Sequence, residues 1–343
     1  MPKNQQYDVV IIGAGPAGCI TTYYLSKKYK TLLLDRSDFP RDKPCGGLLI
    51  EESQDFLKGL RIPSYVFSHP KYLGVKYIDW NNNMEVGQKR KIGNISRKKF
   101  DYWLLKLCRK NINFSPKTTF LKYRRGRDGL EIFIKKNGKE SIINTKYLVF
   151  ATGSSLPIRK IFTNKKINYY LVIQWWLKVN KKVKDFILIY DNKITDSYSY
   201  LIPKGDYLIV GTGLIPGNTE AKMKDFVEKL KKKLNILGKI IKKEAAIVLN
   251  PRSVRNIVLG NNNVILVGEA AGFISTNASE GISYALRSGY SCAKALNKNF
   301  KSAPKKYRNL CKPLIKEIKD KIQKFNILAN PRRRKNNFLK MGK

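Results

Sequence analysis

Residues 7–35, YDVVIIGAGPAGCITTYYLSKKYKTLLLD, decide the fold. DVVII is a short apolar run rich in β-branched residues, the pattern of a buried parallel strand. GAGPAG follows at once and sets Gly13, Gly15 and Gly18 in G-x-G-x-x-G spacing. CITTYYLSKK continues as a helix, and TLLL is a second strand that ends on Asp35. Gly13 permits the tight turn, Gly15 lets the backbone approach a pyrophosphate, and Gly18 lets helix and strand pack closely. The helix N-terminus offers that pyrophosphate free N–H groups and a partial positive charge. Asp35, about 20 residues on, is placed to accept a ribose hydroxyl. The spacing alone is a weak signal. In strand–turn–helix–strand context it predicts dinucleotide binding, with FAD and NAD both open at this point.

Five further segments decide between them. FPRDKPCGGLL (39–49) is a turn-rich stretch, and NISRKKFDYWLLKLC (94–108) reads as an amphipathic helix with Arg97 at its start. YLVFATGSS (147–155) is an apolar strand running into a small-residue turn. VILVGEAAGFISTNASEGISYALRSG (264–289) is another strand, turn and helix. YSYLIPKGDYLIVGTG (198–213) is the most specific element. This set and order resemble the geranylgeranyl reductase family of FAD-dependent oxidoreductases, within the p-hydroxybenzoate hydroxylase-like flavoproteins. The resemblance covers most of residues 5–290. The last segment is similar to the family's Y-x-W-x-F-P pattern, followed after seven residues by G-x-G, here Pro203, Gly211 and Gly213.

The resemblance implies an α/β protein with a Rossmann-like FAD-binding domain, non-covalent FAD, and a mixed or antiparallel β-sheet substrate domain. It places Gly13, Gly15, Ala17, Gly18, Asp35, Cys45, Gly46, Arg97, Phe120, Gly268, Glu269, Gly281 and Ile282 at the cofactor. Arg97 would contact FAD phosphate or ribityl oxygens, and a cation is disfavoured at a helix start unless it has such a task. Glu269 stands where the family usually has Asp, so a shifted backbone or a water bridge is expected. The dipole of the helix opened by Gly281 and Ile282 would stabilise negative charge on reduced flavin. Cys45 of PCGG would lie near the isoalloxazine ring, as a proton donor, a water ligand or a packing residue.

Tyr198 and Tyr200 alternate along a strand, so both rings share one face. They read as catalytic candidates and as an aromatic wall for a long apolar substrate, or as ordinary core packing. Tyr200 departs from the family's usual Trp. Gln174, Trp175 and Trp176 are candidates for the same wall, with Pro203, Gly211 and Gly213 beside it.

The order of segments predicts a discontinuous architecture. Residues 1–60, 95–160 and 255–300 build the FAD domain. Residues 61–94 and 161–254 build the substrate sheet, with a basic amphipathic helix over 218–243 that covers it or lies in a membrane surface. Residues 301–343 form a basic helical tail expected to fray.

At 343 residues and 43% apolar content the chain can bury a sizeable core. No apolar run approaches the 18 or so residues of a membrane span, and MPKNQQ leads straight into the first strand, with no room for a signal peptide. Five scattered cysteines and one histidine, His69, argue against a metal site and against a disulfide framework. A reducing cytoplasm fits. The net charge of +43 is carried by 51 lysines and 17 arginines spread through every loop. Excess Lys, Asn and Ile is what an AT-rich genome produces, and no nucleic-acid module is recognisable. An anionic membrane on the inner face is the more coherent partner for so positive a field.

The expected activity is reduction of carbon–carbon double bonds in a prenyl lipid by hydride from reduced flavin, with a proton from Cys45, a tyrosine or ordered water. No second G-x-G-x-x-G unit is present, so the electron donor is expected to be NAD(P)H docking transiently, or reduced ferredoxin. A flavin monooxygenase or halogenase is the alternative, since YSYLIP also resembles the halogenases' W-x-W-x-I-P pattern. A non-catalytic, flavin-stabilised interaction protein is the third reading.

Overall fold

In the computed structural model, which describes residues 6–109 and 112–342, the glycine turn joins the first two strands of one eight-stranded sheet, and a second eight-stranded sheet carries the tyrosines. The first five residues, on which the signal-peptide reading rests, lie outside the described range.

Strand β1 (Gln6–Ile12) feeds helix α1 (Pro16–Tyr24), whose proline occupies the first turn, where no N–H is needed. β2 (Thr31–Leu34) returns parallel to β1. The chain then passes through β3 (Leu48–Leu49) and α2 (Glu51–Lys58) into the long hairpin of β4 (Phe67–Asp79) and β5 (Met84–Ile95). α3 (Arg97–Arg109) and β6 (Asn113–Ser115) return to the first sheet. There β7 (Thr118–Gly126), β8 (Gly129–Lys136) and β9 (Lys139–Phe150) form a meander.

After α4 (Leu156–Phe162) come β10 (Tyr169–Val179), β11 (Phe186–Tyr190), β12 (Ser199–Lys204), β13 (Tyr207–Leu214), α5 (Thr219–Leu234) and β14 (Gly238–Leu249). β15 (Gly260–Asn261) and β16 (Val264–Leu266) close the first sheet. The long α6 (Ile282–Lys298) follows, then α7 (Ala303–Leu310), α8 (Lys312–Leu328) and α9 (Pro331–Met341).

The first sheet runs β15-β16-β9-β1-β2-β6, with β7 and β8 continuing from β9. β1 is flanked in parallel by β2 and β9, and its inner residues Val9, Val10 and Ile11 are fully buried. That is why its run is apolar throughout rather than alternating. The second sheet runs β14-β10-β13-β12-β11-β4-β5-β3, and it is mixed, because β11 and β4 pair in parallel. β3 belongs to it by pairing with β5, although it lies within residues 1–60.

The second sheet buries its two faces differently. On one, α5 presses Met223, Phe226 and Leu230 against Trp175, Leu177 and Val210. On the other lie Tyr198, Tyr200, Ile202 and Ile209, with Leu328 and Phe338 from the C-terminal helices in the same cluster.

Two expectations need correction. The helix expected over 218–243 ends at Leu234: Asn235 takes the left-handed conformation (φ +52°), and KIIKK enters β14. The tail does not fray through Met341. Arg334, 1% exposed, forms a bidentate pair with Asp79 at the end of β4 (Nε–Oδ2 2.8 Å, Nη2–Oδ1 3.0 Å). Its Nη1 also donates to the Leu328 carbonyl at 2.6 Å.

Candidate flavin site and substrate face

The glycine turn is fixed by contacts that exclude side chains. Gly13 has φ +105°, and a Cβ there would overlap the Ala151 carbonyl; a Cβ on Gly18 would overlap the Gly13 carbonyl. At Gly15 the nearest atom to a Cβ would be an Arg41 guanidinium nitrogen at 3.8 Å, so the backbone is open to a ligand. Asp35 is 8% exposed and accepts from the Ala14 and Ser37 amides, each at 2.8 Å. These bonds hold the carboxylate beside the turn and leave each oxygen a lone pair. Ala17, buried in α1, faces Gly268, whose φ of +60° favours a glycine and where a Cβ would come within 3.0 Å of the Ala17 Cβ.

At the start of α3, Arg97 is 8% exposed and donates twice to Asp101 (Nε–Oδ1 2.9 Å, Nη2–Oδ2 2.8 Å). Arg41 reaches the same carboxylate at 3.2 Å. Burial opposes the charge on Arg97, but Asp101 and the Cys45 sulfur hold its pKa above the ordinary arginine value. Cys45 Sγ also accepts from the Gly47 amide at 3.4 Å. The Arg97 cation and the Gly47 amide therefore both face this sulfur. The PCGG loop lies on the tyrosine face, where a Cβ on Gly46 would sit 2.6 Å from the Ile202 side chain.

Lys204 carries the other side of that loop. It is 8% exposed and donates to Asn94 Oδ1 at 2.5 Å, Ile95 O at 2.8 Å and Gly47 O at 3.3 Å. None of these acceptors is charged. Burial pushes its ammonium down to about 7, opposed by Cys45.

Glu269 follows Gly268 and uses its extra methylene in a way the sequence did not suggest. Oε1 accepts from the Leu249 amide at 2.8 Å, linking the cofactor turn directly to the end of β14. Burial pushes its carboxyl above the ordinary value, against the Leu249 hydrogen bond and the charges of Lys43, Arg159 and Arg97. At α6, Glu280 caps Ser283 through both its amide (2.7 Å) and its hydroxyl (2.8 Å). The amides of Gly281 and Ile282 precede this cap, in the first turn that a helix cannot satisfy from within. In the ATG turn, the Thr152 hydroxyl is buried without a partner among the described residues. An open Gly15, this orphaned hydroxyl and a buried arginine suit a phosphate- and hydroxyl-rich cofactor.

The tyrosine face is one row of side chains across the sheet. Register places Glu244, Gln174, Gly211, Tyr200 and Leu188 side by side on successive strands. Tyr200 donates to Gln174 Oε1 at 3.2 Å, and Gln174 Nε2 donates to Glu244 Oε2 at 2.7 Å. Trp176 Nε1 donates to the same carboxylate oxygen at 2.8 Å. Gly211 is glycine because a Cβ would occupy the place of the Tyr200 phenol. Tyr198 donates to the Ala278 carbonyl at 2.5 Å, with its ring centroid 6.3 Å from that of Tyr200. Burial raises both phenols above the ordinary value.

Not every expected site residue joins this group. Trp175 alternates to the opposite face and packs under α5, so Trp176 takes the place on the wall. Phe120 sends its ring against Phe150 in the meander, centroids 5.1 Å apart. Pro203 gives its carbonyl to Asn94, and Gly213 gives its own to the Thr195 hydroxyl at 2.5 Å. Asp101, Lys204 and Glu244 escaped the sequence reading. Lys204 was discernible: it shares the strand parity of Tyr198, Tyr200 and Ile202, so a lysine had to point inward. Asp101, one helical turn after Arg97, was likewise legible as its partner.

The model of the pyridine nucleotide-disulphide oxidoreductases matches residues 7–215. The chain belongs to that family. It is 32% identical over 338 residues to Protein CbrA of Escherichia coli O6:H1, covering 96% of this chain and 92% of that protein. Among solved structures it resembles a geranylgeranyl bacteriochlorophyll reductase-like protein from Thermoplasma acidophilum (TM-score 0.83, 19% identity, 95% and 88% of the two chains). It also resembles p-nitrophenol 4-monooxygenase PnpA from Pseudomonas putida (TM-score 0.76, 13% identity, 99% and 94%). The fold is that of the p-hydroxybenzoate hydroxylase-like flavoproteins, and the cofactor of this FAD-dependent oxidoreductase family is FAD. All five cysteines are free, and burial pushes the thiols of Cys19, Cys292 and Cys311 up, which leaves these three unsuited to thiol–disulphide exchange.

Proposed function

We propose that this flavoprotein reduces isolated carbon–carbon double bonds in a prenyl lipid. The observation that carries the reading is the contact of the PCGG loop with the Tyr198–Tyr200–Ile202 face, which sets Cys45 beside a wall of aromatic and aliphatic side chains. Bound FAD would supply the hydride chemistry. Gly13, Gly15, Gly18 and the α1 N-terminus would hold its pyrophosphate, Asp35 a ribose hydroxyl, and Arg97 a phosphate or ribityl oxygen. The amides of Gly281 and Ile282 would face the flavin ring. Tyr198, Tyr200 and Trp176 would exclude water and align the chain, and Cys45 or a water it holds would deliver the proton.

No helix among the described residues is long and apolar enough to cross a membrane. A peripheral contact with an anionic bilayer would deliver the lipid, and the +43 charge supports it. Electrons would come from NAD(P)H docking transiently, or from an acidic ferredoxin attracted by the same surface. The fold shared with a monooxygenase keeps oxygen chemistry as the second reading. Mass spectrometry of lipid co-purifying with the protein, together with peroxide release, separates the two. The reductase reading expects a prenyl lipid gaining two hydrogens per bond, and substrate-stimulated oxygen consumption would overturn it.

A further inference from the structure

The hydrogen-bond row that crosses the second sheet has a direction, and the direction is dictated by Glu244. Its carboxylate is an acceptor only. Oε1 takes the Lys242 ammonium at 2.6 Å, and Oε2 takes the Trp176 indole and the Gln174 amide. Burial opposes its ionisation, but Lys242, Gln174 and Trp176 together hold it below the ordinary carboxylate value, so it stays charged. Gln174, 2% exposed, must therefore turn its NH2 toward Glu244 and its carbonyl toward Tyr200. A carbonyl can only accept, so the phenol must donate to it. Gly211 completes the arrangement by leaving room for the phenol directly over the strand.

We propose that Glu244 and Gln174 are positioning residues that commit the Tyr200 proton to the protein and hold its ring over Gly211, so that Tyr200 offers substrate an aromatic surface and a lone pair but no proton. The proposal rests on the reading of this face as the substrate wall, and it removes Tyr200 from the candidate acids. Tyr198 is committed in the same way to the Ala278 carbonyl. Turning the Tyr200 hydroxyl toward substrate would leave the buried Gln174 carbonyl unsatisfied. Raised phenol pKa values act in the same direction. The proton source is then Cys45 or water.

Two measurements test it, one of them independent of turnover. The first is urea unfolding of the FAD-loaded protein, Tyr200→Phe, Glu244→Ala and the double variant. Loss of Glu244 frees Gln174 to rotate and so should weaken the Tyr200 bond. The midpoint shift from Glu244→Ala should be distinctly smaller in the Tyr200→Phe background, and Glu244→Gln should restore part of the shift. Additive shifts would mean that no chain connects the two residues, and the proposal falls. The second is anaerobic reoxidation of the reduced enzyme by geranylgeranyl diphosphate as probe. Tyr200→Phe should keep kcat within about tenfold and change mainly KM, whereas losing a general acid costs about 10²–10⁴-fold. A loss of that size would make Tyr200 the acid and overturn the proposal. If the parent enzyme does not reduce the probe, the prenyl reading fails instead, and the unfolding cycle alone decides the network.

Discussion

Replacing Arg334 by leucine should strongly destabilise the packing of the C-terminal helices. The guanidinium is 1% exposed and serves Asp79, Leu328, Asn81 and Asn192 at once. Leucine fills part of the volume but leaves the Asp79 carboxylate, itself inaccessible to solvent, without a cation. Removing one partner of a buried pair costs about 3–5 kcal/mol. Unfolding entropy of about 2.1 cal/mol/K per residue gives a 343-residue chain about 0.7 kcal/mol/K, so the midpoint should fall by about 4–7 °C at pH 7. Differential scanning calorimetry would read it. The pH dependence supplies a second check. Burial opposes ionisation of Asp79, but Arg334 and Asn82 hold its carboxyl below the ordinary 3.8. A depressed carboxyl contributes stability that is present above the unfolded value and lost as pH falls through the folded one. In the variant burial raises the unpaired Asp79 carboxyl, so the gap between parent and variant should be largest at high pH and close progressively as pH falls, first as the variant's Asp79 takes up a proton and then as the parent's does. A variant melting within 1 °C of the parent at pH 7 would refute the view that α9 is held by this pair.

Gly18→Val should abolish FAD retention, because its side chain would occupy the Gly13 carbonyl; a yellow, FAD-loaded variant would contradict that geometry. Cys45→Ser should keep FAD while changing turnover or alkene selectivity, and unchanged single-turnover kinetics would return Cys45 to packing. Glu269→Asp should loosen the link to Leu249 and accelerate FAD loss on dilution, measured by the rise in free-flavin fluorescence.

The parts of this molecule that were legible from sequence are those in which one residue's chemistry dictates its neighbour's position. Gly13, Gly15 and Gly18 in their spacing announced the turn, and the alternation of Tyr198 and Tyr200 announced a shared face. Trp175 was misassigned because adjacent residues on a strand cannot share a face, and only the pairing with β13 and β14 shows which of Trp175 and Trp176 points toward Tyr200. The helix expected through residue 243 failed at Asn235, where a left-handed residue stops α5 and the following Ile-Ile pair favours a strand. Arg334 read as one cation in a basic run, because its partner Asp79 lies 255 residues away. Glu244 was hidden for the same reason: it meets Gln174 only through sheet register, 70 residues apart in sequence.

Anaerobic mixing of the reduced, FAD-loaded protein with a geranylgeranyl lipid decides whether its flavin reduces prenyl double bonds. The flavin absorbance should return without oxygen, and the lipid should gain two mass units for each double bond reduced. Reduced flavin that persists in the presence of lipid, and reoxidises only when oxygen is admitted with an oxygenated or halogenated product, would contradict it.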